Sequence, residues 1–84
     1  MQNLKNLPAK HSLEQYVINV SIKLRKEHKL TQQDIAKILN TGNAFIGNVE
    51  NVKRPAKYNL RHINLLAEHF KVSPTDFFPE KAFK

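Results

Sequence analysis

Asparagine, lysine and arginine are the side chains through which this chain is best equipped to do chemistry. Asn43 and Asn48 lie in one short stretch near its centre, and a basic segment with Lys53, Arg54 and Lys57 follows. The whole chain carries 14 Lys+Arg against 7 Asp+Glu, a formal net charge of +7. So basic a balance favours a polyanionic partner, although an ordinary basic surface explains the charge alone equally well.

Histidine is the residue type that would point to a metal ion or a catalytic base. The chain has four, His11, His28, His62 and His69, and it has no cysteine. His62 and His69 can share a helical face, but a zinc site needs three or four ligands. No nucleophile lies at a spacing that would pair it with a histidine base. We therefore expect no metal, no cofactor and no enzymatic activity.

The elements that must position the central residues follow from helical periodicity. The stretch TQQDIAKILNTGNAFIGNVEN, residues 31–51, holds two helical patterns separated only by Asn40-Thr41-Gly42. A break this short packs two helices at a steep angle, which is the sequence form of a helix-turn-helix. The second helix then keeps Ile46 and Val49 behind it. Its front would carry small residues, namely Asn43, Ala44, Gly47 and Asn48.

Capping residues predict where the first helices begin and end. A first helix is expected over residues 12–29, with Ser12 and Gln15 forming a capping box. Its expected apolar stripe comprises Leu13, Tyr16, Val17, Val20 and Leu24. Thr31 and Asp34 predict a similar box at the next helix, and Asn40 suits the left-handed turn that ends it.

The C-terminal half continues the helical pattern. Asn59 can cap a fourth helix through about residue 71, whose apolar face comprises Leu60, Ile63, Leu66, Ala67 and Phe70. Ser73, Pro74 and Asp76 predict a final helical turn, with Phe77 and Phe78 closing the core. We expect an all-α fold of five short helices in a single domain over residues 1–84, with an N-terminal arm at 1–10 and a tail at 79–84.

Two runs, LTQQDIAKILNTGNAFIGNVEN and HINLLAEHFKVSPTDFF, together resemble the phage-repressor-like helix-turn-helix family, the lambda repressor, Cro and Xre group. The resemblance covers about residues 12–79. It rests on an ordered set of elements, Thr31-Gln32, Ile35-Ala36, Ile46, Val49-Glu50-Asn51, Leu66-Ala67 and Val72-Ser73. The resemblance implies a compact lambda-repressor-like bundle of five helices that binds operator DNA, usually as a dimer.

The resemblance also implies roles for individual side chains. Asn43 and Ala44 would lie at base-reading positions, with Gly47 and Asn48 near the groove. Gln32 and Asn51 would contact backbone phosphates, and Glu50 would be structural, bonded to an arginine or to backbone nearby. The basic residues directly after the recognition helix are expected on phosphates as well, because of that position; they are Lys53, Arg54 and Lys57.

Two residues depart from the family pattern. Val52 stands where the family usually has glycine after the recognition helix, and valine is strained at positive φ. Asn51 is therefore expected to take the left-handed position instead. Ala44 replaces a longer polar residue and can make only apolar contact, such as with a thymine methyl. The role of Phe45 stays open between packing against the loop, a DNA contact and a dimer interface.

These observations predict a sequence-specific DNA-binding transcriptional regulator, a repressor that binds a palindromic operator as a homodimer. One alternative is an antitoxin-type helix-turn-helix protein of a toxin–antitoxin pair. Another is a protein-interaction module without DNA binding, against which the basic loop and the small front residues argue. The sequence has no apolar run long enough to span a membrane and no signal-peptide segment, so we expect a cytoplasmic protein. The short chain leaves no room for a sensory domain, and no small-molecule ligand is expected.

Overall fold

Helices make up the regular structure of the protein. The computed structural model describes residues 10–83, and residues 1–9 of the expected arm and 84 of the expected tail lie outside the described residues. The elements are α1 (Ser12–Glu27), α2 (Gln32–Leu39), α3 (Asn43–Glu50), α4 (Leu60–Phe70) and a 3-10 turn (Pro74–Phe77). Residues 10–83 contain no strand. The expected all-α class is confirmed, but the fifth element is a single 3-10 turn and not an α-helix.

Reciprocal capping boxes set most of the helix starts. Thr31 Oγ1 accepts from the Asp34 N–H at 3.1 Å, and Asp34 returns the contact to the Thr31 N–H at 2.8 Å. Asn59 with His62 starts α4, and Ser73 with Asp76 starts the 3-10 turn, both from the expected cap residues. Each box satisfies backbone donors that the helix itself leaves unpaired.

The start of α1 corrects one expectation. The cap is His11, whose Nδ1 accepts from the Leu13 N–H at 3.0 Å, while Glu14 accepts from the His11 N–H at 2.9 Å. The Ser12 and Gln15 box is wrong because Ser12 is already the first residue of the helix. His11 has the extended backbone that a cap residue needs, with φ −64° and ψ 151°.

The core lies where α2 packs on α3 and α4 and where α1 meets α3 and the 3-10 turn. Its buried apolar side chains are Val17, Ile18, Ile35, Ala36, Leu39, Ile46, Val49, Ile63, Leu66, Ala67, Phe70 and Phe77. Phe77 closes the core as expected and is fully buried, while Phe78 is half-buried. No helix within residues 10–83 is long and apolar enough to cross a bilayer.

Three expected core residues are instead exposed. Leu13, Tyr16 and Leu60 keep 37%, 37% and 78% of their surface open. Ile18, which the predicted stripe on α1 omitted, is 1% exposed. Periodicity identifies the face of a helix, but it does not say how far along the axis the neighbouring helices extend. All three residues lie in the first or second turn of their helices.

Candidate nucleic-acid interface

The corner between α2 and α3 is built by a left-handed residue at its first position. Asn40 has φ 56° and ψ 49°, and the Thr41 N–H donates to the Ala36 carbonyl at 2.9 Å. This is the αL ending that lets a helix stop and reverse within one residue. The left-handed Asn40 is confirmed. Gly42 has φ −77°, so the turn does not use its freedom at positive φ.

Helix α3 presents one buried face and one open face. Ile46 and Val49 are fully buried, whereas Asn43, Ala44 and Asn48 are exposed. The structure therefore brings three of the four expected base-reading residues to one open surface. The first turn of α3 also has no side-chain cap, because Gly42 carries no acceptor.

Gly47 differs from the other front residues because it faces a neighbouring helix. A Cβ atom added there would lie 3.6 Å from Gln32 Oε1, an ordinary van der Waals distance. Gln32, at the first position of α2, donates from Nε2 to Glu50 Oε1 at 3.0 Å. The two expected contact residues Gln32 and Gly47 thus lie side by side, and the side-chain amide NH₂ of Gln32 already donates to a protein carboxylate.

Arg25 and Glu50 join α1 to the last residue of α3. Arg25 Nε donates to Glu50 Oε2 at 3.0 Å, and Nη2 donates to Oε1 at 2.8 Å. The third donor, Nη1, reaches the Leu30 carbonyl at 3.0 Å. The side chains are 14% and 8% exposed. The expectation that Glu50 is structural and bonds an arginine is confirmed, and a two-point contact of this kind also fixes the angle between its partners.

Lys10 holds the C-terminal end of α3, a role that sequence reasoning missed. Its Nζ donates to the Val49 carbonyl at 2.8 Å and to the Asn51 carbonyl at 2.7 Å, and the residue is 4% exposed. Burial lowers the pKa of the Lys10 ammonium, and the negative charge of Glu14 opposes that shift. The expected N-terminal arm at 1–10 included this residue because that segment shows no helical period and contains Pro8.

The chain leaves α3 in an extended conformation. Asn51 has φ −88° and ψ 114°, so the expected left-handed Asn51 is wrong, and Val52 is not at positive φ either. The Asn51 side chain accepts from the Lys53 N–H at 3.0 Å, and its carbonyl accepts from the Arg54 N–H at 3.0 Å. At this helix end the Lys10 ammonium donates to the Val49 and Asn51 carbonyls, and no residue directly after α3 takes the left-handed conformation that ends α2 and α4.

The expected phosphate-contacting cations divide into two groups. Lys53 and Arg54 are exposed directly after α3 and form no ion pair with the described residues. Lys57 Nζ instead lies 3.0 Å from Glu14 Oε2 at the start of α1. That pair holds Lys57 beside an apolar groove of about 340 Å³ that is lined in part by Leu13 and Phe78. The structure therefore leaves Lys53 and Arg54 exposed and gives Lys57 a protein partner.

Phe45 belongs to an aromatic cluster with Tyr58 and His62. Its ring centroid lies 6.2 Å from that of Tyr58 and 5.4 Å from that of His62, and the side chain is half-buried. Phe45 thus packs α3 against the following loop and α4, one of the three roles left open by the sequence. Burial raises the pKa of the Tyr58 hydroxyl well above its usual range, and the charge of Glu50 acts in the same direction.

The four histidines take part in helix capping or in aromatic packing. His11 and His62 belong to capping boxes. His28 and His69 each lie against the ring of Phe70, with ring centroids 4.8 and 5.2 Å apart. Within residues 10–83 no three His, Cys, Asp or Glu side chains come together as metal ligands would.

Comparison of the chain with protein-family models, with curated proteins and with solved structures gave no match.

Proposed function

We propose that the protein is a sequence-specific DNA-binding transcriptional regulator, a repressor that uses α2 and α3 as a helix-turn-helix. One observation carries the proposal: α3 buries Ile46 and Val49 completely and leaves Asn43, Ala44 and Asn48 exposed next to a three-residue corner. A helix with small side chains in front can enter the major groove, which is about 12 Å wide. The resemblance to the phage-repressor-like family, including its lambda-repressor-like bundle, supports the same proposal.

Sequence readout by this surface rests on few groups. Asn43 and Asn48 supply amides that can bond base edges, while Ala44 can contact a thymine methyl. Lys53 and Arg54 lie exposed where the chain leaves α3, in a protein whose net charge is +7. Exposed cations beside a groove-binding helix neutralise phosphates and supply affinity that does not depend on sequence.

The proposed complex is a homodimer on a palindromic operator. One α3 reads only a few base pairs, which is too little to select a site in a genome. Two copies related by a two-fold axis would place their α3 helices about one helical turn apart, roughly 34 Å, on the same side of the duplex. Occupying such a site blocks access of other proteins to the DNA, so repression needs no catalytic group.

Selection of bound duplexes from a pool with a random central segment tests the proposal. We expect enrichment of a palindrome with half-sites about 10 base pairs apart, followed by a footprint that covers both half-sites. The control is the Asn43→Ala/Asn48→Ala double variant, which should keep the fold and lose the enrichment. Absence of any enriched sequence at low salt, with the protein folded, would overturn the proposal and favour a protein-interaction module.

A further inference from the structure

We propose that Lys10 is a positioning residue for α3, and that its buried ammonium sets the end of this helix and the start of the turn over residues 51–54. The contact joins residues 39 and 41 positions apart in the chain. The link to DNA readout rests on the proposed function. The link to the shape of α3 does not, and the two are tested separately.

The need for such a residue follows from how α3 ends. The last carbonyls of a helix have no partner within it, and a left-handed residue just past the end usually turns backbone N–H groups back onto them. Asn40 after α2 and Lys71 after α4 do this, with φ values of 56° and 58°. Asn51 after α3 is extended, and its N–H reaches only the Asn48 carbonyl, at 3.3 Å.

The Lys10 ammonium donates to two carbonyls at this end of α3. It lies 2.8 Å from the Val49 carbonyl and 2.7 Å from the Asn51 carbonyl, with the residue 4% exposed. A cation in this place also faces the negative end of the helix dipole. A buried ammonium persists only when its donors are satisfied, so the position of Lys10 and the position of these carbonyls determine each other.

The Asn51 carbonyl connects Lys10 to the turn over residues 51–54. Asn51 O accepts from the Lys10 ammonium and also from the Arg54 N–H, at 3.0 Å. The neighbouring Glu50 is held from the side by Arg25 and Gln32. Three chain segments therefore hold the last turn of α3, and Lys10 is the one that holds its backbone. Without the Lys10 contacts, the last turn of α3 and the turn that carries Lys53 and Arg54 should become more mobile.

The first test needs no DNA. In the unmodified protein labelled with ¹⁵N-lysine, we expect one protected ammonium resonance, because exposed lysine ammonium protons exchange rapidly with water. In Lys10→Met, the amides of Asn51 and Arg54 should exchange with solvent faster by about tenfold or more, while that of Thr41 at the end of α2 changes far less. Lys26→Met, at an exposed lysine on α1, is the matched control and should leave all three amides unchanged.

Two outcomes of this test overturn the proposal. One is the absence of a protected lysine ammonium in the unmodified protein, which does not depend on whether any variant folds. The other is an equal acceleration of the three amides in Lys10→Met, which would mean that Lys10 only contributes to global stability.

The second test concerns DNA binding, with a salt titration of Lys10→Met on an operator and a scrambled duplex. A positioning role predicts weaker operator binding, because α3 is less well placed. The slope of log affinity against log salt concentration, the salt slope, should not change, because Lys10 is not itself on a phosphate. A slope lowered by about one unit per subunit would identify Lys10 as a phosphate contact and overturn the positioning role. If the unmodified protein binds no DNA, the proposed function fails, whereas the exchange results decide the structural role of Lys10 on their own.

Discussion

The guanidinium of Arg25 in α1 meets the carboxylate of Glu50 at the end of α3 through two parallel hydrogen bonds, of 3.0 and 2.8 Å. Gln32 at the start of α2 donates to the same carboxylate at 3.0 Å. One side chain on α3 is therefore bonded from both other helices of the N-terminal half. The angle at which α3 presents its exposed face depends on this carboxylate, together with the apolar contacts of Ile46 and Val49.

Removing the charge of Glu50 should destabilise the protein severely. Glu50→Gln leaves the Arg25 guanidinium, 14% exposed, without its carboxylate. Loss of one partner of a largely buried pair costs about 3–5 kcal/mol in the free energy of unfolding. Urea unfolding measures the loss. Lys57→Met breaks the exposed pair with Glu14 and should cost less than about 1 kcal/mol. Equal losses in the two variants would contradict the role of Glu50.

Arg54 and Asn43 should divide affinity and specificity between them. Arg54→Ala removes an exposed cation after α3 and should weaken binding to an operator and to a scrambled duplex alike. The magnitude of the salt slope should fall by about one unit per subunit, which is about two units for a dimer. Asn43→Ala should lower operator binding by about 1–3 kcal/mol and barely change the salt slope. Reversed behaviour of the two variants in a salt titration would refute the proposed orientation on DNA.

Protonation of His62 should weaken the fold. His62 Nδ1 accepts from the Asn59 N–H at 3.1 Å, a contact that requires the unprotonated nitrogen. Burial lowers the pKa of His62, and the neighbouring charge of Arg61 adds to the shift. The unfolded chain therefore binds this proton more readily than the folded one. The contribution of His62 is fully present above the unfolded pKa of about 6.5 and is lost as the pH falls towards the folded value.

Urea midpoints measured from about pH 7.5 down to 5, above the titration of the carboxylates, test this dependence. The His62→Gln variant keeps an acceptor for the Asn59 N–H and should show a shallower loss of stability with falling pH. His69→Gln serves as the matched control, since His69 lies away from the capping box. The prediction fails if both variants show the same dependence on pH as the unmodified protein.

Phe45 should contribute more to the stability of the fold than to DNA binding. Phe45→Ala opens a gap between α3, Tyr58 and His62, and we expect a loss of about 2–3 kcal/mol in the free energy of unfolding. That value is below the cost at a fully buried phenylalanine because the ring is half-buried. Urea unfolding and operator titration on the same variant separate the two roles. An unchanged stability with a large loss of affinity would place Phe45 on the DNA.

Gly47, beside the Gln32 side chain, offers a test of the approach of α3 to DNA that costs no stability. A Cβ at this position meets only Gln32 Oε1 at 3.6 Å, so Gly47→Ala should fit. Alanine in a helix interior is favoured over glycine by up to about 1 kcal/mol, and the unfolding midpoint should stay or rise. If α3 approaches DNA as proposed, the added methyl group should lower operator affinity in the same protein. A fall in the unfolding midpoint would show that Gly47 is required for helix packing instead.

The sequence by itself determined the local structure. Thr31, Asn40, Asn59 and Ser73 act at the helix ends where their types predicted them, because capping depends on atoms within about four residues. The burial of Ile46 and Val49 followed from helical periodicity, because residues three apart lie on the same face of a helix. The start of α1 was misplaced by one residue, since His11 and Ser12 both have partners three residues on and only one can take the extended backbone.

Tertiary structure alone decided what surrounds α3. The Lys10 contacts span 39 and 41 residues and the Arg25–Glu50 pair spans 25, and no periodicity or local spacing reports on such distances. Val52 in place of the family's glycine led to the expectation of a left-handed Asn51, and nothing in the sequence indicated that Lys10 would reach the carbonyls at this helix end. Helical periodicity likewise did not predict that Leu60 would be 78% exposed. Backbone capping depends on neighbours in the chain, whereas these contacts exist only once the packed helices bring distant segments together.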